Sequence, residues 1–201
     1  MKTKDLIYFK SIELFASQSY ETIGMREIAK HVGIKAASIY NHYKSKEDIL
    51  LQIAATLVNK MKEDVYPLYK VSNIDFKIFF TNIAMKTNDF FERVDVAELV
   101  KILVPLFYQS EKLKELIHLE FYVKPRAALA YYFNDLTKRK LLNISDSVFA
   151  AKVYHSFFIY HFFEKYLLNN SESFLNEHKE LFLQHIEFFL SYFNINKELP
   201  S

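Results

Sequence analysis

The stretch "GIKAASIYNHYKSK", residues 33–46, decides the reading of this chain. The sequence has only two glycines in 201 residues. One is Gly33, which opens the stretch, and the other is Gly24, a short way upstream. Ala29 and Gly33 stand four apart, with Ile28, Val32, Ile34 and Ile39 around them. Two short helices that cross steeply need a small residue at the crossing, which Ala29 supplies. The tight turn between them needs one residue in the left-handed region, where a side-chain Cβ is costly, and Gly33 supplies that. The four apolar residues then fill a shared core. The pattern predicts a helix-turn-helix, with Gly24 at the entrance of its first helix.

Working outward, the second helix should start near Lys35–Ala36 and run over 36–43. Its outward face would carry Ala36, Ala37, Ser38, Tyr40, Asn41 and His42. Small residues at its start let a helix sink into a major groove, and the hydroxyl, amide and imidazole groups that follow can read base edges. Arg26, Lys35, Lys44 and Lys46 are placed for phosphates. Between Met25 and Lys46 five basic residues face one acid, Glu27, a local +4 on a chain of formal net charge +2. Such an island is the electrostatic footprint of a polyanion partner, here double-stranded DNA; a solvated helix face carries the same charges.

The rest of the sequence is helical in period. Leu6, Phe9, Ile12, Leu14 and Phe15 form an apolar stripe on a first helix. Further patterns cover 25–32, 46–65, 74–92, 95–108, 111–139, 146–169 and 172–193. No alternation of period two is present, and glycine and proline are too scarce for several hairpins. The predicted fold is all-α with about nine helices: a three-helix head over 1–46 and a helical body over 47–201. Helix starts are expected after Ser45, at Ser72 or Asn73, and after Ser110, Ser145 and Ser171. Pro105 and Pro125 fall inside apolar patterns, where kinks or short breaks are expected.

Residues 7–53 resemble the DNA-binding domain of the tetracycline-repressor (TetR) family, through "ELFASQSYETIGMREIAKHVG" followed by "SIYNHYKSKEDIL". The chain departs from the family at Gly24, where Ser or Thr commonly caps the helix, and at Lys35, Ala37 and Asn41. The resemblance implies a dimeric regulator, more often a repressor of a palindromic operator. It also implies a C-terminal helical domain that binds a small-molecule effector and dimerises. The residues lend their own support. "VYHSFFIYHFFEKYLL" and "LFLQHIEFFLSYF" are apolar on more than one face, as helices buried on more than one side are. Phe157, His161, Leu181, His185, Phe189 and Tyr192 are the candidate dimer contacts, or else core of the monomer.

The chain has 20 Phe and 14 Tyr, most of them in the body. Phe79, Phe80, Ile83, Phe107, Phe121, Tyr122, Tyr132 and Phe158 are the candidate lining of a pocket for an apolar or amphipathic effector; the same residues serve an ordinary core. There is no cysteine, hence no disulfide or thiolate metal site. No uncharged run exceeds 11 residues, well short of the roughly 20 that a membrane helix needs. The chain reads as soluble and cytoplasmic, with no membrane partner. No glycine-rich phosphate loop, metal-binding histidine spacing or nucleophile–base set is present, so neither a cofactor, a metal nor catalysis is expected. Two other classes fit the composition: a carrier of apolar molecules, and an interaction protein without DNA-binding role.

Overall fold

The computed structural model describes residues 2–70, 75–168 and 173–193, and all regular structure among them is helical. Three helices open the chain: α1 (Thr3–Ser17), α2 (Met25–Val32) and α3 (Ala36–Ile39). They are followed by α4 (Lys46–Asp64), α5 (Phe76–Glu92), α6 (Val94–Leu103) and α7 (Glu111–Ile117). The last three are α8 (Lys124–Lys138), α9 (Ser147–Phe163) and α10 (Ser173–Tyr192). The chain forms two compact units, Met1–Lys60 with Glu92–Leu116, and Met61–Phe91 with Ile117–Ser201.

Caps explain where most helices begin. The Ser45 hydroxyl accepts from Asp48 N at 3.1 Å, and the Asp48 carboxylate accepts from Lys44 N at 2.9 Å, which starts α4. The Ser110 hydroxyl accepts from Leu113 N at 3.3 Å at the head of α7. At α9 the cap is Asp146, not Ser145: one carboxylate oxygen takes both Val148 N and Phe149 N. Carboxylate also suits the positive end of a helix better than hydroxyl does. Asp75 does the same for α5, accepting from Lys77 N and Ile78 N. The expected caps at Ser72, Asn73 and Ser171 lie outside the described residues.

Both prolines act as expected but by different means. Pro105 sits in a 3-10 turn, Val104–Leu106, and α6 ends at Leu103, five residues before the expected end at 108. Pro125 lies at the start of α8, and the turn before it, His118–Val123, is π-helical. A proline ring clashes with the carbonyl four residues back, here that of Phe121, and supplies no N–H to it. The wider π turn accommodates both defects while the helical path continues.

The first unit is built on Ile7, Leu14, Phe15, Ile23, Ile28, Ile39, Tyr43, Ile49 and Leu50, all buried. Helix α6 belongs to this unit and packs against α1. The buried stripe of α1 differs from the expected one: it runs through Ile7, Ser11, Leu14 and Phe15, while Phe9 is 52% exposed. Ser11 tolerates burial because its hydroxyl donates to the Ile7 carbonyl at 2.8 Å, which leaves no unpaired polar group.

The second unit has an aromatic centre. Phe79, Phe80, Tyr132, Phe133, Tyr154 and Phe189 come from α5, α8, α9 and α10 and pack with Leu129, Leu136 and Ile186. Phe79 and Tyr132 stack at 3.7 Å between ring centroids, and Phe80 and Phe133 at 5.2 Å. Edge-on and stacked ring pairs add about 0.5–1.5 kcal/mol each beyond area burial, which makes this cluster the main anchor of the unit.

Candidate nucleic-acid interface

The turn between α2 and α3 has the geometry that its glycine was expected to allow. Gly33 lies at φ 79°, ψ 28°, in the left-handed region. Its N–H donates to the Lys30 carbonyl at 3.2 Å, and Ile34 N donates to the Ala29 carbonyl at 3.0 Å. This pair of bonds is a Schellman closure, which satisfies the last carbonyls of α2 and turns the chain sharply. Gly24 has φ −107° and ψ 163°, extended backbone open to any residue, and a Cβ built there meets nothing within 4 Å. The two glycines therefore differ in kind. Gly33→Ala is expected to cost about 1–2 kcal/mol, the price of a Cβ in the left-handed region. Gly24→Ser should be neutral or stabilise by a few tenths of a kcal/mol through a new cap. Thermal denaturation of the two variants would separate them, and equal losses would refute the distinction.

Helix α3 is shorter than the expected 36–43, because α-helical geometry ends at Ile39. The chain stays coiled beyond it: Asn41 N, His42 N and Tyr43 N donate to the carbonyls of Ser38, Ile39 and Ile39 at 3.3, 3.0 and 3.1 Å. Ile39 and Tyr43 hold one side of this coil in the core. The opposite side is open. Ala36, Ala37, Asn41 and Tyr40 are exposed, Tyr40 at 53%, and Ser38 and His42 are half-buried. Arg26, Lys35 and Lys44 are exposed around them.

Lys46 plays a different part from its neighbours. Its Nζ donates to the Tyr20 carbonyl and lies 4.1 Å from the centroid of the Tyr20 ring. Partial burial pulls its ammonium below the usual range, with the Glu21 carboxylate opposing. Lys46 thus ties the start of α4 to the loop after α1. Lys4 was missed in the sequence. Its Nζ lies 5.5 Å from the Tyr43 ring, which brings the first turn of α1 beside the recognition segment and extends the basic island. The basic start "MKTK" was visible, but only folding brings it next to Tyr43.

The other candidate residues fall into separate groups. Phe107 belongs to the first unit, whereas Phe79, Phe80, Ile83, Phe121, Tyr122, Tyr132 and Phe158 belong to the second. Phe79, Phe80, Ile83 and Tyr132 are in the packed core, with Phe158 against its edge. Phe121 approaches Phe91 at 6.1 Å, and Tyr122 stands beside His155 and under the Arg126 guanidinium. Of the candidate dimer residues, Leu181 and Tyr192 are exposed, Phe157 and His185 are half-buried and stacked at 3.9 Å, and His161 is buried. Phe189 is turned into its own unit's core, 3% exposed, against Phe133 and Tyr154. Exposed apolar residues that sequence reading passed over share these helices: Phe149, Val153 and Tyr160 on α9, and Phe188 on α10.

Glu120, buried in the π turn, has its carboxylate held by Lys124 Nζ at 2.6 Å and by the Tyr66 hydroxyl. Burial alone would raise its pKa, but the bonds from Lys124 and Tyr66 outweigh it and hold the group low. Among the described residues no three His, Asp or Glu side chains cluster as a metal site requires, and no helix is long and apolar enough to cross a membrane.

A three-helix head with a left-handed glycine turn and an open α3 rimmed by basic side chains defines a helix-turn-helix DNA-binding protein. Residues 7–53 match the model of bacterial regulatory proteins of the tetR family. An HTH-type transcriptional regulator of Staphylococcus aureus (strain USA300) is 27% identical, the match covering 78% of this chain and 85% of that protein. Among solved structures, the flavonoid-responsive regulator FrrA superposes with a TM-score of 0.69 at 19% identity, covering 97% of this chain and 98% of that one. AibR in complex with isovaleryl coenzyme A and operator DNA gives a TM-score of 0.67 at 16% identity, covering 90% and 97%. Residues 7–53 thus carry a DNA-binding domain of the tetR type, and the curated proteins that resemble the chain over 78% of its length are HTH-type transcriptional regulators.

Proposed function

We propose that this chain is a cytoplasmic, effector-responsive repressor that binds a palindromic operator as a homodimer. The observation that carries the reading is the open face of α3, presented by the Gly33 turn and rimmed by Arg26, Lys35 and Lys44. In the proposal residues 1–46 hold the operator, and residues 47–201 sense and dimerise. A single helix-turn-helix covers little DNA, so two copies on a two-fold axis would read half-sites about one helical turn apart.

The dimer contact is assigned to α9 and α10. Phe149, Val153 and Tyr160 repeat on one side of α9, and Leu181, Phe188 and Tyr192 repeat on one side of α10, all exposed in the single chain. Exposed apolar stripes of this kind are expected to be covered by a partner, here a second copy. The effector is assigned to the second unit, whose aromatic side chains favour an apolar or amphipathic molecule. Two buried hydroxyls there, Thr87 Oγ1 and Tyr154 Oη, have no hydrogen-bonding partner among the described residues. A ligand with a polar group would satisfy such an atom, which otherwise costs about 1–3 kcal/mol. FrrA is flavonoid-responsive and AibR was solved with isovaleryl coenzyme A, so this fold admits effectors of very different size. An effector that prefers the body conformation with wrongly spaced heads would lower operator affinity, and operator would weaken effector binding by the same factor.

The test is selection of bound sites from random duplex DNA, followed by a salt titration on the selected site. Log affinity should fall linearly with log salt, by about 0.9 per phosphate contacted. Lys35→Ala and Lys44→Ala should each flatten that slope by about 0.9 while leaving the dimer mass unchanged. Affinity that ignores salt and both substitutions would overturn the proposal.

A further inference from the structure

We infer that the part of the half-site read by α3 is built from A·T pairs, recognised through thymine methyl groups at Ala36 and Ala37 and through an adenine edge at Asn41. The inference rests on the DNA-binding reading above and adds the base class.

Its first support is the shape of the open face. Ala37 and Tyr40 are three apart, and Ala36 with Tyr40 and Ala37 with Asn41 are four apart, so the four side chains form one continuous surface. All four are exposed, while Ile39 and Tyr43 anchor the opposite side. The bonds from Asn41 N to the Ser38 carbonyl and from Tyr43 N to the Ile39 carbonyl keep Asn41 in register with the helix. Alanine is the shortest side chain that still offers a methyl group. Two in succession let the helix axis approach the groove floor, with only methyl groups between backbone and base.

Chemical complementarity is the second support. In the major groove guanine presents two acceptors, met best by a bidentate Arg or Lys; cytosine presents a donor, met by Asp or Glu. The segment from Ala36 to Tyr43 contains no Arg, Lys, Asp or Glu. Thymine presents a methyl group and adenine an acceptor beside a donor, met by alanine and by the two-ended amide of Asn41. Tyr40, Ser38 and His42 read either strand and do not decide between base classes. The cations, Lys35 and Lys44, flank the face and Arg26 lies on α2, where they reach phosphates or pairs outside the α3 footprint.

The experiment uses the full chain and the site selected from random duplex DNA. Each thymine of the half-site is replaced in turn by deoxyuridine, which lacks only the methyl group. One or two positions are expected to lose affinity about fourfold, the worth of burying one methyl group. Asn41→Ala should reduce discrimination at one adenine by about tenfold or more, with affinity for unrelated DNA unchanged. A G·C core under α3, or full tolerance of deoxyuridine at every position while salt-dependent binding persists, would sink this inference and leave the DNA-binding reading standing. Failure to bind any duplex would sink both.

Discussion

Replacing Phe80 by alanine is expected to remove about 3–5 kcal/mol from the folding free energy. Phe80 is 0% exposed. Its ring meets Phe79 at 5.2 Å, Phe133 at 5.2 Å, Tyr132 at 5.7 Å and Tyr154 at 5.0 Å, so α5, α8 and α9 converge on it. Rigid rings on every side cannot flow into the vacated space, and the cavity term is therefore near its upper range. Domains have about 5–15 kcal/mol in total, so a loss of this size brings the body close to unfolding. Phe80→Leu keeps most of the volume and should lose less than half as much. Ile78→Ala, at a position 54% exposed on the same helix, should change stability by about 0.5 kcal/mol or less. Urea unfolding at 25 °C reads all three; a Phe80→Ala loss below about 1 kcal/mol would mean that the ring cluster is not packed as described.

The second large effect is on acid stability, through His155. Burial, assisted by the Arg126 guanidinium, pushes its imidazole down to about 4. The geometry agrees: the side chain is on α9 with the residue 9% exposed, and Arg126 Nε donates to His155 Nδ1 at 3.3 Å, a bond that only the neutral ring accepts. The unfolded chain protonates near 6.5. Above that value both states are neutral and the group contributes nothing to pH dependence. Between about 6.5 and 4 the unfolded state takes a proton that the folded state refuses, so stability falls as pH falls, by about 1.4 kcal/mol per pH unit. The total is about 3 kcal/mol across the interval, complete once pH drops below the folded value. His155→Gln should remove that slope. The difference in urea midpoint between the two proteins, measured at pH 7, 5.5 and 4, isolates the residue. His161 and His185 are also held low by burial, and their contribution is common to both proteins. Glu120 is held low in the folded state, so its contribution is present above the unfolded value near 4.3 and lost only as pH drops further. Parallel curves for wild type and His155→Gln between pH 7 and 4 would rule out this role.

Much of the head was legible without coordinates. A left-handed turn excludes nearly every residue but glycine, so Gly33 announces itself in a chain with only one other. Ser45 and Ser110 marked helix starts because a cap is a local bond, formed with an N–H three residues on. Pro105 and Pro125 marked their breaks for an equally local reason, a missing donor and a ring against the preceding turn. The all-α class followed from period and from the scarcity of turn residues.

Tertiary structure alone decided which way the side chains face. Periodicity assigned Phe9 to the buried stripe of α1, but the ring is exposed and Ser11 lies inside, because a hydroxyl that bonds its own helix can be buried at little cost. In α9 apolar residues surround the axis, and a pattern without a polar side carries no direction; α10 has a polar side at Glu180, Gln184 and Glu187, but its other faces are largely apolar. Phe188 faces out and its neighbour Phe189 faces in; both are phenylalanine, and only the surface of α8 and α9 tells them apart. Lys46 reads as a phosphate ligand by its charge, but the Tyr20 carbonyl claims it. Residue chemistry along the chain determines which backbone conformations and helix ends are possible. Which face is buried and which charge stays free depend on what packs opposite, and that is set by contacts between residues far apart in sequence.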